Sequence, residues 1–138
     1  MALRSIDLMI EDWVQVIDAC TGKSTPCKIT SIWENEYVAL DGDIDAADLP
    51  TNLLEPIPLT SEILEKNGFK PDVPGDAYKY SYQIEGVSIV ECYINAAGIG
   101  RHRGVFSFGD TRLRITLMFV HQLQHALRLC GINKKIKL

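Results

Sequence analysis

Long hydrophobic runs are absent from this chain of 138 residues, and that absence excludes a bilayer-spanning helix, which needs about 20 consecutive apolar residues. No membrane partner is expected. The opening MALRSIDLMIEDW meets acidic residues at Asp7, Glu11 and Asp12 before a signal-peptide core could form, so a cytoplasmic location is expected. Glycine and proline are sparse, at 10 and 6 residues, which argues against collagen-like and low-complexity chains. Cys20 and Cys27 stand too far apart for a CxxC redox pair. Without a secretion signal, these two, Cys92 and Cys130 are expected to be reduced thiols that pack as small buried hydrophobes.

Basic residues are scarce over residues 1–100, where 6 Lys+Arg face 17 Asp+Glu, and acids are scarce over 101–138, where 8 Lys+Arg face 1 acid. Either the two parts attract each other or present solvated faces, or the basic end meets nucleic acid or an acidic partner. The candidates for such a surface are Arg101, Arg103, Arg112, Arg114, Lys134, Lys135 and Lys137. Arg112 and Arg114 share a face by strand alternation, which gathers scattered charge into a surface. Gly98, Gly100 and Gly104 surround Arg101 to Arg103, but the strand-like VFSF follows them. A phosphate cradle needs a helix there, so a hairpin tip is expected instead.

What is present reads as an α+β protein. WVQVI, CKITSIWEN and EYVAL are short alternating strands joined by tight turns, and such strands bury their inner faces by closing up. A small Src-homology-three-like β-barrel is therefore expected over residues 1–57, with Trp13, Val14, Val16, Ile29, Ile32 and Val38 in its interior and rim. DGDIDAADLPTNLLEPIP reads as a loop. Over residues 58–138 the pattern predicts a short middle helix, a four-stranded antiparallel meander and a C-terminal helix packed on it. The two parts are expected to form one compact unit. Thr60 caps the middle helix, Gly68 stops it and Phe69 folds back on Leu64. The last helix is expected from about Leu117 to Cys130, with Thr116 as its cap, Gly131 as its stop, and Leu123, Leu127 and Cys130 on its core stripe.

Chemical motifs are few. His121 and His125 stand four apart on a helix, the spacing at which two imidazoles grip one metal ion. Gln122 occupies the place where a zincin carries its glutamate base, and an amide cannot accept that proton. No further ligand is set by the spacing, so no cofactor is expected. His121 and Gln124 are expected at the core margin, tying the helix to strand ends. Asp41, Asp43 and Asp45 have the opening of a calcium loop, but Ala46 and Asn52 stand where its glycine and its bidentate acid belong.

The stretches Ile10 to Val14, Ile57 to Phe69 and Val120 to Gly131 together resemble a group of small uncharacterised proteins from Bacteroidetes genomes, prophages and conjugative elements. Their pattern reads IGDWV, then IPLTEEWLLKFGF, then VHQLQN. Trp13, Thr60, Gly68, Phe69, His121 and Gln124 belong to the matching stretches. Glu11 replaces the usual glycine, Ile63 the usual tryptophan and His125 the familiar asparagine. The resemblance implies a phage or mobile-element context in a bacterial host cell and no reaction. The leading expectation is a non-enzymatic protein-interaction or accessory module with an unknown protein partner. A nucleic-acid-binding accessory protein is the alternative, and a metal-dependent enzyme comes last.

Overall fold

The computed structural model describes residues 3–42, 46–73, 79–83, 88–94, 100–108, 111–129 and 131–138. Among these, ten strands and two α-helices form an α+β protein with two antiparallel five-stranded sheets. The chain divides into two units, Met1–Ile57 and Pro58–Leu138.

The first unit contains β1 (Trp13–Ile17), β2 (Ser24–Trp33), β3 (Tyr37–Gly42), β4 (Ala46–Pro50) and β5 (Leu54–Pro56), in the order β4-β3-β2-β1-β5. Strand alternation turns Val14, Cys27, Ile29, Val38 and Leu40 inward onto Leu54, and Leu3 and Leu8 from the N-terminal segment complete this core. Burying a side chain of this size contributes about 1.5–3 kcal/mol. Residues 46–56 are therefore not a loop. They supply two strands and a 3-10 turn at Thr51–Leu53. Pro50 and Pro56 end strands at the two edges of the sheet, where the missing N–H interrupts no ladder.

A register shift between Ile29 and Ser31 changes the alternation predicted for β2. Beyond it Ile32 packs against the core and Trp33 turns outward. Trp13 is half-buried on the outer face, with the Lys28 ammonium 5.0 Å from its ring centre. Among the described residues two that are not glycine sit at positive φ, Glu11 at +72° and Glu36 at +64°. Glu11 occupies the third place of a turn closed by the Asp12 N–H donating to the Met9 carbonyl at 3.2 Å. Glycine is the residue that adopts this conformation without a steric cost.

The second unit holds α1 (Ser61–Lys66), β6 (Lys70–Pro71), β7 (Lys79–Gln83), β8 (Ser88–Ile94), β9 (Gly100–Phe108), β10 (Thr111–Ile115) and α2 (Val120–Leu129), with sheet order β10-β9-β8-β7-β6. The meander thus has five strands rather than four, because Lys70 and Pro71 pair with Ser81 and Tyr80. One sheet face, with Tyr80, Val90, Cys92 and Ile94 buried, belongs to the core that includes Leu64, Phe69, Leu117, Leu123 and Leu127. Thr60 caps α1 through its hydroxyl, which accepts from the Ile63 N–H at 3.3 Å, and Gly68 follows at φ +86°. Phe69 donates its N–H back to the Leu64 carbonyl at 3.0 Å and is buried, as the sequence predicts.

The start of α2 differs from expectation. Phe119 bridges Pro58, and the Leu59 N–H donates to the Met118 carbonyl at 2.9 Å, so residues 118 and 119 are held to the segment before α1 and the helix begins at Val120. Thr116 is not its cap. The Gln122 side chain reaches back instead, accepting from the Met118 and Phe119 N–H groups at 2.8 and 3.1 Å. Gly131, at φ +73°, ends the helix. Cys27 and Cys92 are buried free thiols, whereas Cys20 is exposed in a turn; Cys130 lies outside the described residues. Burial pushes the Cys92 thiol well above its ordinary range.

Candidate functional site

The outer face of the second sheet gathers the charged side chains. Ser81, Glu91, Val105 and Arg114 occupy matched positions across β7 to β10, so they share this face, opposite the one that carries Tyr80 and Cys92. Glu91 is its centre. One carboxylate oxygen lies 3.3 Å from the Lys79 ammonium and the other 3.4 Å from the Arg112 guanidinium. Lys79 also pairs with Asp72 at 2.8 Å and stands 5.9 Å from the centre of the Tyr93 ring. Hydrogen bonds from Lys79 and Ser81 hold the Asp72 carboxyl below the usual carboxylate range, and Asp72 raises the Lys79 ammonium in turn. Beside this network Tyr93, Val105, Arg112 and Arg114 line a hollow of about 380 Å³.

β10 closes one edge of the sheet, and Thr111 to Arg114 are all exposed. Leu113 is 50% exposed. An edge strand offers unpaired backbone donors and acceptors along its open side.

Among the described side chains, the basic candidates occupy more than one face. Arg112 and Arg114 lie on the outer sheet face, whereas the Lys134 ammonium sits 4.7 Å from the centre of the Tyr82 ring on the face that bears the helices. Lys137 is bound through its backbone to Asn67, and Lys135 is exposed. Arg101 and Arg103 belong to β9 and not to a hairpin tip, because that strand already begins at Gly100; their side chains are outside the described residues, as are Asp43 and Asp45. Within β9, a Cβ at Gly104 would lie 2.1 Å from the Leu117 Cδ1, so glycine lets the strand pass close to Leu117.

His121 and Gln124 are buried in the second unit. The His121 ring stacks on Phe119 at 5.9 Å and meets His125 edge-on at 5.6 Å. Among the described residues no group of three or more His, Cys, Asp and Glu gathers as a metal site. Among them, too, no helix is long and apolar enough to cross a membrane.

The first unit has its own feature, unmarked by any motif. Glu36, in the β2–β3 turn, accepts from the Ser5 N–H at 2.6 Å, the Ser5 hydroxyl at 2.9 Å and the Thr51 hydroxyl at 3.0 Å. Those donors, Ser5 N–H foremost, hold its carboxyl below the usual glutamate range. Beside it Leu3, Glu36, Tyr37, Pro50 and Thr51 line part of a hollow of about 420 Å³. No local pattern foretells this tie, since its three members are distant in sequence. The chain matches no protein-family model, no curated protein and no solved structure.

Proposed function

We propose that this chain is a non-enzymatic interaction or accessory module of phage or mobile-element origin, working in the cytoplasm of a bacterial host, and that β10 is where a partner protein docks by adding a strand. The observation that carries the reading is the exposure of Thr111 to Arg114 at the sheet edge, with Leu113 half out of water between two arginines. Strand addition takes its affinity from backbone hydrogen bonds and its selectivity from alternate side chains. If β10 paired with itself antiparallel about Leu113, Arg112 of one copy would face Arg114 of the other. Like charges directly opposite are destabilising, so the edge favours a strand with acids at alternate positions over a second copy.

A Src-homology-three-like closure of the first unit belongs to the same proposal. It is supported by the strand order β4-β3-β2-β1-β5, which sets the last strand beside the first, and by the 3-10 turn between β4 and β5. The proposed kinship with the mobile-element group is supported by Glu11, whose positive φ falls where the opening IGDWV carries its glycine.

The test is binding of the full chain to an immobilised peptide of alternating glutamate and valine. Binding that is lost in Leu113→Lys, with the melting temperature unchanged, supports the proposal. Equal binding by that variant, or none by the parent chain at low salt, refutes it.

A second reading, nucleic-acid binding, is favoured by one observation. Arg112 and Arg114 share their hollow with the Tyr93 ring, a pairing suited to phosphate and base. Anisotropy with a labelled single-stranded oligonucleotide should then show affinity that falls with salt and drops further in Arg112→Ala/Arg114→Ala; no binding at low salt removes this reading.

A further inference from the structure

We propose that the first unit carries a docking cleft for an arginine-bearing extended segment of another protein, seated on Trp33 and Tyr37 with Glu36 as its anionic anchor. Trp33 lies opposite Tyr37 and Tyr37 opposite Pro50, so the three form one cross-strand row. Trp33 and Tyr37 are 42% and 37% exposed, although aromatic side chains of this size normally contribute most when covered. With neighbouring strands about 5 Å apart, the row spans about 10 Å, the length of about three residues of an extended chain.

Charge selects the occupant. The first unit carries 3 Lys+Arg against 11 Asp+Glu, so an approaching segment gains by being basic. Arg4 also lines the hollow and its charge acts weakly on Glu36, but its guanidinium lies 3.5 Å from the Asp7 carboxylate. The Glu36 carboxylate offers about four lone-pair positions, of which three are used by Ser5 and Thr51, and the fourth stays open to a ligand. Being already fixed, it loses little freedom on binding. Arginine fits better than lysine because a planar guanidinium can lie flat on an indole or phenol ring and still donate sideways to a carboxylate. The same unit already holds one cation over an indole, Lys28 over Trp13.

This surface is independent of β10, so either reading can fail alone. The probe is a short acetylated peptide of alternating arginine and threonine, added to the full chain carrying Trp13→Phe, which leaves Trp33 as the lone tryptophan reporter. The Trp33 emission should change saturably, with an affinity that falls as salt rises. Matched lysine and glutamine peptides should bind at least about threefold more weakly. By anisotropy on the otherwise unaltered chain, Trp33→Ala should weaken the arginine peptide about tenfold without moving the melting temperature; Glu36→Gln is a poorer probe, because it also loosens Ser5 and Thr51. An unchanged Trp33 emission at low salt, lysine or glutamine peptides that match the arginine one, or undiminished binding by Trp33→Ala would overturn the proposal.

Discussion

The Asn67 carboxamide clasps both backbone groups of Lys137: its Oδ1 accepts the Lys137 N–H at 2.7 Å and its Nδ2 donates to the Lys137 carbonyl at 2.7 Å. The same Nδ2 donates to the Ile63 carbonyl at 2.7 Å, and Asn67 is only 4% exposed. One side chain thus fastens the C-terminal segment to the end of α1, next to the buried Ile136.

Removing that clasp should free the tail. Asn67→Ala removes the two part-buried hydrogen bonds to the Lys137 backbone, at about 0.5–1.5 kcal/mol each. Urea melts should show their summed loss, and hydrogen exchange at the Lys137 amide should accelerate. An unaltered amide would show that the tail is held by other contacts.

Glu11→Gly should raise stability. A left-handed residue with a Cβ costs about 1–2 kcal/mol, and glycine's added freedom in the unfolded chain returns about 0.5–1 of it. A gain of about 0.5 kcal/mol is expected, whereas Glu11→Val should lose stability. Thermal melts of the two variants should move in opposite directions.

Gly104→Ala should destabilise by about 1–3 kcal/mol, because its methyl would meet Leu117, which is fully buried. Leu117→Ala leaves a cavity and should be costly alone. In the double variant the new methyl enters the vacated space, so the two losses should fall short of adding; strict additivity would contradict the contact.

Acid should loosen the first unit through Glu36. Its folded-state pKa is depressed, so its stabilising effect is complete above the ordinary glutamate value of about 4.3 and is lost as pH falls through the lower folded value. Both tryptophans, Trp13 and Trp33, lie in this unit, so their emission follows it selectively. Glu36→Gln should be less stable at pH 7 and should have a shallower acid transition. An identical transition would mean that other carboxylates govern it.

Much of the second unit was legible because its signals are local. Thr60, Gly68 and Phe69 act within one short stretch, and the leucine stripe of α2 needs no distant partner to be seen. The elements that were missed depend on partners far away. Ala46–Pro50 and Leu54–Pro56 look like loop because they are short, show no sustained alternation and contain proline, yet β3 and β1 supply their pairing. The N-terminal end of α2 is set by Pro58 and Leu59, some sixty residues earlier. Asn67 reads as an ordinary helix end, and its grip on Lys137 leaves no local trace. The outward turn of Trp33 comes from the register shift after Ile29, which strict alternation does not show. Arg112 and Arg114 share one face through strand alternation, which is local, whereas the packing of Lys134 on Tyr82 joins residues far apart in sequence.

The most direct measurement of the proposed role is hydrogen exchange along β10 with and without the glutamate–valine peptide. An added strand must bond to the backbone, so amides within 111–115 should gain protection that disappears in Leu113→Lys. Binding that leaves those amides as fast as before, or that protects only other segments, would contradict the account.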